Sequence, residues 1–160
     1  MSLDNIQADI ITVSDLLKKP QVKFPIYQRP YKWETKNVIQ LLNDVLTFKN
    51  KSAYRFGTIV FHKEEEDYNV VDGQQRTITL ILIAKAIIIA VNNKVINIEN
   101  KRLKDQIKDI EIKLISPQFT NDISITNIQK NYREIERFVS VMDEPTVSFL
   151  LNKCEFIQFI

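Results

Sequence analysis

The feature that most limits the fold is a nearly uninterrupted apolar run that begins directly after a short polar turn. Residues 68–90 read YNVVDGQQRTITLILIAKAIIIA, and within residues 78–91 only Thr79 and Lys85 are not apolar. A helix that is apolar nearly all round belongs in the core of a protein. The run is shorter than the roughly 20 residues that a membrane span needs. We therefore predict that residues 74–91 form a central buried helix.

Composition narrows the class of protein. The chain has 160 residues, with 44% hydrophobic and 26% charged side chains, which is typical of one soluble globular domain. Its net charge of +2 does not support nucleic-acid binding through overall charge. Cys154 is the only cysteine, so no intrachain disulfide can form and no metal-binding cysteine pair exists. The N-terminal residues contain no secretory signal pattern, so we expect a cytoplasmic protein that contacts no membrane.

The remaining elements follow from periodicity and from turn residues. We predict helices at 14–19, at 36–48 with Thr35 as N-cap, from 122 onward, and a short one opened by Pro145. A hairpin is expected from YRFGTIVFHK and YNVVD around an exposed EEED turn, and further strands from 110–116 and from CEFIQFI. These elements indicate an α+β fold with a small mixed sheet wrapped by helices, in a single domain over residues 1–160.

The last predicted strand, CEFIQFI, ends the sequence on an apolar residue. We therefore expect the sequence to be part of a longer protein. If the remainder is absent, this strand is expected to be an unsatisfied edge, which favours dimerisation or poor solubility.

The polar turn before the buried helix has the features of an anion site. The first N–H groups of a helix lack intrahelical acceptors, and the helix dipole places partial positive charge there. Gly73 allows the backbone to approach a phosphate closely, and Arg76 can hold a phosphate with two hydrogen bonds. Gln74 and Gln75 can donate to phosphate oxygens or orient a water. The alternative is purely structural, with Asp72 capping the helix and Arg76 paired with a carboxylate.

A second polar cluster lies in FPIYQRPYKW, residues 24–33. Its prolines indicate an extended, irregular segment. Tyr27, Tyr31 and Trp33 can be explained as packing residues. Gln28 and Arg29 are harder to explain in that way, because they lie between bulky apolar residues. We interpret them as a second wall of the same anion site.

The two motifs together resemble the N-terminal domain of GmrSD-type modification-dependent restriction proteins, a prokaryotic group with a ParB/sulfiredoxin-like fold. The resemblance is strongest over residues 22–83 and continues more loosely through NDISITNIQKNYREIERFV and FLLNKCEFIQFI. The YQR and tryptophan positions of the family's motif correspond to Tyr27, Gln28, Arg29 and Trp33. The DGQQR motif corresponds to residues 72–76, where ParB-like domains hold phosphates on a Gly-x-x-Arg turn.

This resemblance implies a domain that binds and hydrolyses a nucleoside triphosphate in a phage-defence protein. We expect Mg²⁺ to accompany the nucleotide, because phosphate sites usually use it to offset charge. Asp72 and Gln75 are the expected catalytic residues. The residues expected to bind the nucleotide are Gln28, Arg29, Gly73, Gln74 and Arg76. No protein side-chain cluster dedicated to a metal is expected. The alternative is a module that binds DNA or a partner under nucleotide control, without turnover.

The sequence departs from the family pattern in two respects. A later F-x-x-x-N-x-x-G segment is not found, and no His-Asn-His nuclease pattern occurs. His62, the only histidine, is expected to be a half-buried strand residue, and Cys154 a buried core residue. We expect that this chain alone does not cut DNA, and that a C-terminal region or nuclease domain of the parent protein contacts the DNA.

Overall fold

The strands form one mixed sheet in the order β1-β5-β3-β4-β2. The computed structural model describes residues 6–25, 30–117 and 122–160. The strands are β1 (Ala8–Thr12), β2 (Val22–Lys23), β3 (Tyr54–Glu64), β4 (Asp67–Asp72) and β5 (Cys154–Phe159). The β1–β5 and β3–β4 pairs are antiparallel, whereas β3–β5 and β2–β4 are parallel. The predicted hairpin is therefore confirmed, with β3 and β4 as its two strands.

Helices occupy most of the remaining described chain, which confirms the predicted α+β class. They are α1 (Val13–Lys18), α2 (Thr35–Phe48), α3 (Gln74–Asn92), α4 (Lys101–Lys113), α5 (Asp122–Val139) and α6 (Glu144–Asn152). The more detailed ParB/sulfiredoxin-like assignment stays a prediction.

The long apolar helix α3 is the centre of the core, as predicted. It packs against α1, α4 and α5, and side chains such as Ile83 and Ile87 are at most 2% exposed. Among the described residues, α3 is the one helix that is long and apolar enough to cross a membrane by length and composition. However, 72% of its most apolar window is buried within the protein. Burial in a core accounts for its composition.

One of the strands predicted from the sequence is wrong. Residues 110–116 were expected to form a strand, but α4 continues through Lys113 and the following residues are irregular. The buried residues of α4 are Leu103, Ile107 and Ile110, at helical spacing, whereas Ile112 is 81% exposed. The alternation of apolar residues near Ile112 therefore does not correspond to a buried face. Asn100 starts this helix, because its Oδ1 accepts a hydrogen bond from the Leu103 N–H at 3.0 Å.

The predicted N-cap of α2 is also wrong. Glu34 is the N-cap, and its N–H donates to Oδ1 of Asn37 at 2.9 Å. Thr35 is the first helical residue, and its hydroxyl instead donates to Oδ1 of Asn131 on α5 at 3.2 Å. A tertiary contact therefore uses the side chain that the sequence indicated as a cap.

The last strand is not an edge. β5 lies between β1 and β3, so its backbone groups pair on both sides. The expectation of an unsatisfied edge strand is therefore wrong. The expectation failed because β1, a short strand near the N-terminus that was not predicted, pairs with β5.

Candidate functional site

The turn between β4 and α3 has a geometry that requires glycine. Gly73 is the N-cap of α3 and has φ 88°, in the left-handed region. A Cβ at this position would lie 3.0 Å from the carbonyl oxygen of Thr58, so substitution adds a steric clash to the backbone strain. No side chain caps the helix here. The alternative in which Asp72 caps α3 is therefore not what the structure shows, and within the described residues no side chain accepts from the first N–H groups of α3.

The guanidinium of Arg76 lies beside this turn without an ionic partner among the described residues. The ion pairs formed within residues 6–25, 30–117 and 122–160 involve other cations. Arg76 is exposed, and its Nη1 is 3.1 Å from the position that a Cβ on Gly57 would occupy. Gly57 has φ 135° and lies at a bulge where β3 shifts register against β5. The missing Cβ at Gly57 leaves the space that the guanidinium uses.

The positive charge of Arg76 also affects the pKa of Tyr54, at the start of β3. Burial raises the pKa of Tyr54, and a hydrogen bond from its hydroxyl to Oδ2 of Asp44 at 3.1 Å adds to the rise. The positive charge of Arg76 acts in the opposite direction on this pKa. Arg76 therefore places a positive charge without a described ion pair at the N-terminal turn of α3, where the helix dipole is also positive.

The two glutamines of the motif have structural partners. Gln74 is buried, and its Nε2 donates to the carbonyl of Val70 at 2.8 Å. Gln75 Oε1 accepts the N–H groups of Lys32 at 2.8 Å and Trp33 at 3.1 Å, and its Nε2 donates to the carbonyl of Pro30 at 3.2 Å. The side chain of Gln75 thus fixes the segment that follows Gln28 and Arg29.

A connected set of hydrogen bonds holds this segment against α3 and α5. We call it the anchor cluster, and it comprises Tyr31, Gln75, Thr79, Asn127 and Asn131. Asn131 Nδ2 donates to the Tyr31 hydroxyl at 2.9 Å and to the Trp33 carbonyl at 2.8 Å. Thr79 Oγ1 donates to the Gln75 carbonyl at 2.8 Å, so its single proton is used. The Tyr31 hydroxyl, 2.8 Å from Thr79 Oγ1, is therefore the donor between them.

Further contacts complete the anchor cluster. Asn127 Nδ2 donates to the Tyr31 carbonyl at 3.0 Å, and the Tyr31 N–H donates to Ser124 Oγ at 2.8 Å. Tyr31 is fully buried, and this burial raises the pKa of its hydroxyl. Buried polar groups with complete hydrogen bonding fix one conformation of the chain. The segment 30–33 is consequently held from both α3 and α5.

The turn formed by residues 72–76, which we call the anion turn, lines a cleft of about 440 Å³, and Trp33 lines the same cleft. The lining residues are Trp33, Val71, Asp72, Gly73, Gln74, Gln75 and Arg76. This volume lies within the range of small-molecule sites. Of the described lining residues, Asp72 alone carries a carboxylate, and it is exposed at the end of β4.

A larger groove of about 860 Å³ lies between α1, α4 and α6, and none of the predicted site residues that the structure describes lines it. Its central polar groups bond to one another: Gln106 Nε2 donates to Ser14 Oγ at 2.8 Å and to Asn152 Oδ1 at 2.6 Å. The smaller cleft is the better candidate site, because its arginine lies beside a helix N-terminus that has no described side-chain cap. At the larger groove, the N-terminus of α4 is capped by Asn100.

The structure thus brings five of the predicted residues, 72–76, into one cleft. Gln28 and Arg29 lie outside the described residues. His62 is in a strand as predicted but is exposed rather than half-buried. Cys154 is fully buried, and burial raises the pKa of its thiol to about 12, which makes it an unreactive core residue.

Sequence reasoning missed Gly57, Asn127 and Asn131. One usable signal was present for the asparagines. Ser124, Asn127 and Asn131 recur at spacings of three and four, which places polar residues on one face of α5. Gly57 is one of only two glycines in the chain, but its role depends on Arg76, which is distant in sequence.

Comparison with protein families gives one match over most of the chain. The family described as GmrSD restriction endonuclease, N-terminal domain, matches residues 13–160. The match confirms the resemblance inferred from the two motifs. No curated protein matches the chain.

Proposed function

Because the chain belongs to the family of GmrSD restriction endonuclease N-terminal domains, which gives it a role in a restriction system, we propose that it binds and hydrolyses a nucleoside triphosphate. The phosphates are held at the turn formed by residues 72–76. The observation that most supports this proposal is the exposed guanidinium of Arg76, which has no described ionic partner and lies beside the uncapped N-terminus of α3.

A bound anion at this turn explains why the guanidinium of Arg76 lies beside the positive N-terminal end of the α3 dipole. A cation in the first turn of a helix is disfavoured by the dipole, and a bound phosphate reverses that effect. Gly73 allows phosphate oxygens to approach the first N–H groups of α3. Arg76 supplies charge-assisted hydrogen bonds. Gln28 and Arg29 complete the site as a second wall, from the chain directly before the anchored Pro30.

Mg²⁺ fits this cleft as a companion of the nucleotide rather than as a resident ion. Among the described residues there is no group of three His, Cys, Asp or Glu side chains that could hold a metal. Mg²⁺ in phosphate sites typically uses one or two carboxylates, with the substrate's oxygens and water as further ligands. Asp72 is the carboxylate in position for that role. The bound ion supplies charge neutralisation at the phosphates.

Hydrolysis at this site works through positioning and electrostatics. Backbone N–H groups and Arg76 stabilise the charge that develops on the transferred phosphoryl group. Asp72 is exposed at the cleft and is the stronger candidate to orient the attacking water. Gln75 was the other candidate. Its Oε1 already accepts two N–H groups, which favours a positioning role for this side chain.

Because the Gln75 side chain is already hydrogen-bonded to Lys32 and Trp33, it is less available for catalysis, and this favours one alternative function. A cleft with a single available carboxylate suits a nucleotide-controlled module that binds DNA or a partner domain without turnover. In both cases, contact with DNA is made through the parent restriction protein, in the cytoplasm. Recovery of intact nucleotide after long incubation with Mg²⁺ would support the alternative, and release of phosphate would support hydrolysis.

The direct test is calorimetric titration of the chain with ATP, GTP and CTP, each with Mg²⁺. We expect Arg76→Ala to weaken binding about 10- to 100-fold, because charge-assisted hydrogen bonds are lost. Arg137→Ala is the matched control, since Arg137 is an exposed arginine paired with Glu134 away from the cleft. Equal affinity in the wild type and in Arg76→Ala would contradict the proposed site.

A further inference from the structure

The cleft contains an aromatic wall that phosphate binding alone does not require. Trp33 lines the same space as Arg76 and is half-buried, so part of its surface is open to the cleft. It is the only aromatic side chain among the described residues of the lining, and it is the only tryptophan in the sequence. A phosphate group gains nothing from an indole, whereas every nucleobase presents a flat face that stacks on aromatic rings.

The backbone of Trp33 is held by side chains from two helices, although the residue lies in an irregular segment. Its N–H donates to Gln75 Oε1 at 3.1 Å, and its carbonyl accepts from Asn131 Nδ2 at 2.8 Å. Two residues earlier, Tyr31 is fully buried in the anchor cluster. A side chain whose backbone is already held before the ligand arrives loses less conformational freedom on binding. The segment is therefore built as a platform at a fixed position relative to the anion turn.

We propose that Trp33 is the base-stacking platform of the cleft, so that the site selects nucleotides over inorganic polyphosphates while discriminating weakly among bases. This inference rests on the proposed function, because it needs the phosphates at the turn formed by residues 72–76. The anchor cluster sets the distance between the two subsites. Gln75 acts in both, because its side chain fixes Trp33 while its backbone lies in the first turn of α3.

The sole tryptophan makes the inference directly measurable. Indole fluorescence reports on Trp33 alone, so wild-type protein is titrated with ATP, GTP, CTP and inorganic tripolyphosphate, each with Mg²⁺. We expect all four to bind by calorimetry, and only the three nucleotides to quench the fluorescence strongly. Trp33→Leu is expected to weaken nucleotide binding about tenfold and to leave tripolyphosphate affinity unchanged. Trp33→Phe should keep most of the nucleotide affinity, because it keeps an aromatic face.

A matched control separates stacking from general loss of stability. Tyr132 is a half-buried aromatic on α5 that does not line the cleft, so Tyr132→Leu should leave the ratio of nucleotide to tripolyphosphate affinity unchanged. The same ratio in Trp33→Leu as in wild type would overturn the platform but leave the phosphate site standing. Failure of wild type to bind either ATP or tripolyphosphate would remove the proposed function and the platform together.

Discussion

The anchor cluster and the anion turn both lie at the start of α3, yet they differ in whether their polar side chains are hydrogen-bonded to other protein groups. In the anchor cluster, the hydroxyl of Tyr31 and the amides of Gln75 and Asn131 are bonded to protein partners. At the anion turn, Arg76 and Asp72 have no side-chain hydrogen bond or ion pair within the described part of the chain, and no side chain caps the helix.

This difference separates stability from function along one helix. Polar groups with complete hydrogen bonding stabilise a single packing arrangement, and removing one partner leaves the other buried and unsatisfied. Polar groups without protein partners add little to stability and stay available for a ligand. The comparison therefore predicts that substitutions of the bonded polar side chains in the anchor cluster mainly lower stability. Substitutions of Arg76 or Asp72 should mainly lower ligand affinity.

Asn131→Leu should have the largest effect on stability. It removes donors to the Tyr31 hydroxyl and the Trp33 carbonyl and leaves both acceptors without that partner, at a cost of about 3 kcal/mol. Urea unfolding followed by circular dichroism measures the loss. Lys130→Ala, an exposed neighbour on α5, should change the free energy of unfolding by less than about 0.5 kcal/mol. A similarly small change in Asn131→Leu would show that the anchor cluster is not structural.

Gly73→Ala tests whether the anion turn is strained for its geometry. The left-handed φ and the approach of a Cβ to 3.0 Å from Thr58 oxygen predict a loss of about 2 kcal/mol. Thermal unfolding provides the measurement. Asp72→Ala is the neighbouring control, and we expect a change below about 0.5 kcal/mol, because the Asp72 side chain is exposed and has no described partner. Unchanged stability of Gly73→Ala would mean that the turn relaxes without strain.

Tyr31→Phe removes one hydroxyl from the anchor cluster and should cost about 1 kcal/mol at pH 7. Burial raises the pKa of Tyr31 above its ordinary value of 10.0, so the folded state holds this proton more tightly than the unfolded state. The resulting stability is present below pH 10 and is lost as the pH rises further. Urea unfolding at pH 8 and at pH 10.5 should therefore show a smaller alkaline loss in Tyr31→Phe. Tyr132→Phe, with no described hydroxyl hydrogen bond, should match wild type at pH 8.

Arg76→Ala should have the smallest effect on stability, within about 0.5 kcal/mol of wild type. Its guanidinium is exposed and forms no described ion pair, so no stabilising contact of that kind is removed. Thermal unfolding of the variant beside wild type, without ligand, measures this. A loss above 1 kcal/mol would place Arg76 among the structural groups and would break the distinction between the two regions. Arg137→Ala serves again as the exposed control.

Local patterns predicted α3, the β3–β4 hairpin and the helix after residue 122, because each signal lies within the element itself. They failed at residues 110–116, where the alternating residues belong partly to the last turn of α4. The buried face of that helix consists of Leu103, Ile107 and Ile110. They also failed for β1, a strand of five residues whose partner lies at the other end of the chain. Both failures have the same cause, because the secondary structure of these segments depends on packing against residues that are distant in sequence.

The candidate site shows the same limit at the level of single residues. The turn and Arg76 could be identified from the strand–glycine–helix pattern. The partners of Gln75 could not, because they are backbone groups of residues more than forty positions away. A motif indicates which side chains are present, and only tertiary contacts decide which of them remain free for a ligand.

The place of β5 between β1 and β3 has a consequence for how the chain is made. Ala8 pairs with Phe159, a separation of 151 residues (159 − 8), and this is a costly loop to close early in folding. During synthesis, β1 and β3 leave the ribosome before their shared partner exists. Until then β1 has no strand partner, and β3 exposes unpaired backbone groups along one side. Nascent chains that stop before Cys154 should therefore depend on chaperones, while the arrival of one short strand completes the sheet.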